Sequence, residues 1–122
     1  MSVSPSDFMQ SANSMIANDQ CKEIGLRNAA SRAYYALFHT AMQTVVAKGV
    51  PLQKLDRAGS HESLIATLCG MSPSAKSIGD AIGRVKRFRH DCDYQVTQDI
   101  SAKKVEMHIA EAERLIAKLH RL

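Results

Sequence analysis

Glycine and proline are scarce in this chain, six and three in 122 residues, so few breakers interrupt it and long stretches are free to be regular. No apolar run approaches the roughly 18 residues needed to span a bilayer, so no membrane helix is expected. Cysteine is rare as well. Cys21, Cys69 and Cys92 form an odd, widely spaced set without a C-x-x-C pair, so neither a disulfide framework nor a zinc knuckle is expected, and a reducing, cytoplasmic setting fits. The opening Met-Ser-Val-Ser-Pro-Ser-Asp has no basic stretch followed by an apolar one, so no secretory signal is expected. The glycine-rich signatures of phosphate loops and dinucleotide folds are missing, as is the G-x-S-x-G context of a hydrolase serine. His90 and Cys92 come nearest to metal-ligand spacing but would point to different faces of a helix; no metal and no cofactor are expected.

With 45% hydrophobic and 23% charged residues, the composition is that of a globular chain, and the length suits a single domain over residues 1–122. Sixteen Lys+Arg against twelve Asp+Glu give +4, divided evenly between the two halves, so net charge alone makes no case for nucleic acid. Apolar residues recur at i, i+3, i+4 and i+7, which predicts an all-α fold, an up-and-down bundle of about five helices. Ser4-Pro5-Ser6-Asp7 opens a short first helix ending near Asn18, with Phe8, Ala12, Met15 and Ile16 as its buried stripe. A long central helix runs from about Lys22 to Lys48 and is closed by Gly49 and Pro51. Its run from Ala29 to Phe38 mixes small residues with aromatics, the composition of a helix that supplies much of the core. After a polar loop over 51–59, Ser60 caps a third helix that ends at Gly70. A fourth runs from Ala75 to about Tyr94, weakened by Gly79 and Gly83. A fifth, about Ala102 to Arg121, carries Val105, Ile109, Ala112, Ile116 and Leu119 on one face.

Two stretches carry candidate chemistry. On the central helix Arg32 and His39 stand seven positions apart, about 20° short of two full turns, so they share a face with Tyr35, Ala36 and Gln43. A polar ribbon on so apolar a helix needs a groove, an interface or complementary groups. A satisfied structural network would serve equally well. The second stretch is Arg84-Val85-Lys86-Arg87-Phe88-Arg89-His90, in which four cations point almost all round a helix, so one or two must meet something other than bulk water. Arg87, His90 and Tyr94 fall at i, i+3 and i+7, with Asp91 one turn from Arg87. An arginine fork holds phosphate and an imidazole moves a proton, the minimum parts for cleaving RNA through its own 2′-hydroxyl. A solvated basic helix with an Arg–Asp pair is the commoner outcome of such a pattern.

Ser31-Arg32-Ala33-Tyr34-Tyr35-Ala36-Leu37-Phe38-His39, then His61-Glu62-Ser63, then Arg89 four residues before Asp93-Tyr94, and finally Ala110-Glu111-Ala112-Glu113 in a terminal helix, together resemble the small HEPN-domain proteins of bacteria and archaea. The likeness runs from about residue 6 to 120. It implies a bundle of about five helices that forms a homodimer and, in active members, a metal-independent endoribonuclease of a toxin-like or defence system. The family's catalytic signature is an Arg followed after four to six residues by a His, two protomers sharing one cleft. Arg84 and His90 match that spacing, with Arg89 beside them, but an unbroken helix would put Arg84 and His90 on different faces. The match needs a kink or an end near Gly83. Lys86, Arg87 and Tyr94, with Arg32, Tyr35 and His39 from the central helix, are the expected RNA-binding or cleft-lining residues. In some members a Tyr two positions after the His is modified by a partner nucleotidyltransferase acting as antitoxin. Here Tyr94 lies four positions after His90, a departure from that pattern. A non-catalytic module binding RNA, a nucleotide or a partner protein is the alternative, and a purely structural helical subunit a third.

Overall fold

The computed structural model describes residues 2–18 and 20–122, which form five helices: α1 (Pro5–Ile16), α2 (Glu23–Ala47), α3 (Ser60–Met71), α4 (Pro73–Tyr94) and α5 (Ala102–His120). There is no strand among the described residues, and the fold is an all-α helical bundle. At the start of α1 the Ser4 N–H donates to the Asp7 carboxylate (2.8 Å), satisfying an amide that the first turn leaves unpaired. α2 ends where the expected glycine stands. Gly49 takes a left-handed φ of 69°, and the amides of Gly49 and Val50 turn back to the carbonyls of Val46 and Val45.

α1 ends at Ile16 and α3 at Met71, within two residues of the sequence reading, and the starts of α3 and α4 also differ from it. Gly59, not Ser60, occupies the N-cap of α3, and Ser60 is the first helical residue. α4 begins at Pro73, two residues before Ala75, because proline needs no amide partner in a first turn and the Ser72 hydroxyl accepts from the Ala75 N–H (3.0 Å). Ser72 therefore closes α3 and opens α4.

α2 lies at the centre, packed on α1, α5 and α4, while α3 pairs chiefly with α4. Ala29, Ala30, Ala33 and Ala41 are fully buried and let neighbouring helices approach, while Tyr34, Leu37 and Val45 fill the volume between them. The α3–α4 crossing is close at Gly79, where an added Cβ would stand 3.2 Å from the Ile65 carbonyl oxygen and 3.0 Å from Cys69 Sγ. Gly79 thus lets α3 sit against α4, which brings the first turn of α3 alongside the basic stretch.

Candidate functional site

α4 is an unbroken helix through residues 84–94, so its side chains fan out at the helical pitch. Arg87 and His90 fall on one side, where they line a cavity of about 520 Å³ between α3 and α4 together with Glu62, Asp80, Lys86 and Asp91. Lys86 forms an ion pair with Glu62 across this cleft. Arg87 is exposed, lies back over Gly83, and has no ion pair with any described residue, Asp91 included. His90 is exposed, with its ring 4.6 Å from that of Tyr94, itself 64% accessible. The strip of guanidinium, imidazole and phenol read from the spacing is therefore present and open to solvent.

Arg89 points the other way. It is buried against α2, with its guanidinium carbon 5.0 Å from the Tyr34 ring centre and 5.6 Å from that of Tyr35, and Nη1 donates to Asp93 Oδ2 (3.1 Å). Its Nε is buried without a partner. This is the cation that the crowding of charge on α4 required to leave bulk water. Stacking and the carboxylate hold it in place.

The Tyr34 hydroxyl lies 2.6 Å from His61 Nδ1, on the first turn of α3. Tyr34 is fully buried and this imidazole is the partner its hydroxyl has, so the phenol donates and His61 carries its proton on Nε2. Burial, then the nearby charges of Arg89 and Lys86, hold the His61 pKa below its ordinary value, which keeps the ring neutral near pH 7. The same burial raises the Tyr34 phenol far above its usual range. His61 also stacks on Phe38 at 4.2 Å.

The ribbon on α2 meets α1. Arg32 is exposed and donates to the Ser11 hydroxyl (2.9 Å), and Tyr35 and His39 lie half-buried against Phe8 at 6.4 and 5.3 Å. Ala36, counted on that ribbon, is fully buried instead. Arg84 lines a different cavity, between α4 and α5, so the straight helix keeps it apart from His90 within one protomer.

Sequence reasoning did not single out Arg27. Its buried guanidinium donates to the carbonyls of Cys92 (3.0 Å), Gln95 (3.1 Å) and Gln98, and pairs with Glu23, which in turn accepts the Ile100 N–H (2.7 Å). This clamp fixes the C-terminal end of α4 and hence the setting of His90 and Tyr94. The one local signal is the Glu23–Arg27 spacing of four; the carbonyls it reaches are more than sixty residues away.

Among the described residues no group of three or more His, Cys, Asp or Glu is arranged to hold a metal ion, and no helix is long and apolar enough to cross a membrane. The chain matches no protein-family model and no curated protein.

Proposed function

We propose that this chain is a HEPN-type protein that binds single-stranded RNA in the α3–α4 cleft and cuts it without a metal ion. One observation supports this reading above the others: Arg87 and His90 both line an open cleft and neither has an ion pair with a described residue, while the neighbouring cations Lys86 and Arg89 are engaged by Glu62 and Asp93. Arg87, the arginine that lines this cleft, is thus free to fork onto a phosphate. His90 takes the proton of the 2′-hydroxyl as its oxygen attacks the adjacent phosphorus, and the bond to the 5′-oxygen breaks. The leaving oxygen needs a proton from a second imidazole. A homodimer placing two copies of the cleft together supplies it, and the products are a 2′,3′-cyclic phosphate and a 5′-hydroxyl. Arg87 neutralises the charge that grows on the phosphorane.

The test is cleavage of a single-stranded RNA in EDTA. Wild type cuts, and His90→Ala lowers the rate by about 10²-fold or more with the helical signal unchanged. Cutting that requires added metal, or that survives the substitution, overturns the catalytic reading.

A second reading rests on the carboxylates. Glu62, Asp80 and Asp91 line the same cleft and one protomer brings a single imidazole to it, an arrangement suited to holding RNA, a nucleotide or a partner such as a nucleotidyltransferase without turnover. Exposed Tyr94, its ring tilted against that of His90, would be the contact point. Salt-dependent RNA binding without cleavage, weakened by Arg87→Ala, would select it.

A further inference from the structure

The cavity between α4 and α5, about 370 Å³, takes no part in that reading and has its own chemistry. Its walls are apolar: Phe88 is half-buried, Val85 lies beneath it, and Met107 is 63% exposed at the edge. Arg84 and Lys104 stand exposed at the rim, neither in an ion pair with a described residue. His108 is buried against Phe88, with ring centres 4.8 Å apart, and its Nε2 lies 2.8 Å from the Ala30 carbonyl. A carbonyl only accepts, so Nε2 carries the proton. Burial holds this imidazole neutral by lowering its pKa. Nδ1 is then a lone pair, and it has no partner among the described residues. Nδ1 is thus the ring nitrogen left unpaired on a residue that lines this cavity.

We infer that the α4–α5 cavity binds a nucleotide whose base carries an exocyclic amino group, with the base between Phe88 and Met107, the amino group on His108 Nδ1, and the phosphate on Arg84 and Lys104. The Glu111 carboxylate, held by Arg114 on the same wall, adds a second acceptor. An amino group has two hydrogens for two acceptors. Uracil offers one N–H flanked by two carbonyls, which would face the carboxylate. The same chemistry is offered by a free mononucleotide or by one nucleotide of an RNA strand.

The experiment is titration of the full chain with AMP, CMP, UMP and adenosine, followed by amide chemical shifts. AMP and CMP are expected to bind saturably with shifts centred on residues 84–88 and 104–111, and UMP at least about fivefold more weakly. AMP should bind more tightly than adenosine, and Arg84→Ala with Lys104→Ala, both exposed positions, should remove that advantage. Met107→Ala should weaken both ligands. A short adenine-rich RNA that shifts residues 104–111 at lower concentration than AMP assigns the site to a strand; one that shifts them no more readily assigns it to the free nucleotide. Absence of saturable AMP and CMP binding at millimolar concentration, equal affinity for UMP, or an AMP advantage that survives the double substitution overturns the inference. His90→Ala, in the other cleft, leaves this binding intact, so this site and the RNA-cleaving cleft fail separately.

Discussion

Tyr34 and His61, on different helices and 27 residues apart, are joined by a hydrogen bond of 2.6 Å in which the phenol donates. Protonating His61 would put a second donor on that bond. Burial, then the charges of Arg89 and Lys86, make the folded state resist taking up that proton, and His108 behaves alike because it is buried. Stability from both groups is whole above the ordinary imidazole pKa of about 6.5. It is lost as pH falls below that value towards the lowered folded values, because the unfolded chain binds protons first. The melting temperature should fall between pH 7.5 and 5.5, by less in His61→Asn than in wild type once each is referred to its own value at pH 7.5.

Arg27→Ala should cost about 3 to 5 kcal/mol in urea unfolding, since it strands Glu23 and leaves several carbonyls at the end of α4 unpaired. Arg27→Lys should recover less than half, because an ammonium cannot reproduce the planar fork.

Arg87 and Arg89, two positions apart, should separate function from folding. Arg87→Ala is expected to change stability by less than about 0.5 kcal/mol and to lower the salt slope of RNA binding by about one. Arg89→Ala should destabilise by about 2 kcal/mol or more, since it removes the stack on Tyr34 and frees Asp93. Both are read by denaturant titration beside RNA binding at several salt concentrations.

Two glycines of α4 should respond oppositely to alanine. At Gly83 an added Cβ meets only the Arg87 guanidinium, at 3.8 Å, so Gly83→Ala should gain about 0.5 to 1 kcal/mol of helix propensity. At Gly79 the same gain is outweighed by contact with the Ile65 carbonyl and Leu68 Cβ at 3.2 Å, which cannot easily retreat. Gly79→Ala should lose about 1 kcal/mol net, checked by thermal unfolding of the two variants.

These contrasts mark how far the sequence could be read. The strip Arg87, His90 and Tyr94 was legible because its spacing is local to one helix, and so were the five helices, whose apolar period and breakers are local too. That Gly79 is a crossing point and Gly83 mere slack depends on α3, which is invisible in the sequence of α4. Tyr34 with His61, and Arg27 with the carbonyls beyond Asp91, are partners only once the chain has folded. Arg84 and His90 matched a spacing, yet an unbroken helix turns that spacing into directions about 120° apart.

Ser72 ends one helix and starts the next with nothing between them, and the Lys86–Glu62 pair lies several turns away within the cleft. The two helices are thus joined at Ser72 and tied again by a charged pair between the first turn of α3 and the middle of α4. A polyanion entering the cleft would have to displace Glu62 from Lys86, and high ionic strength weakens both that pair and the ligand that would replace it.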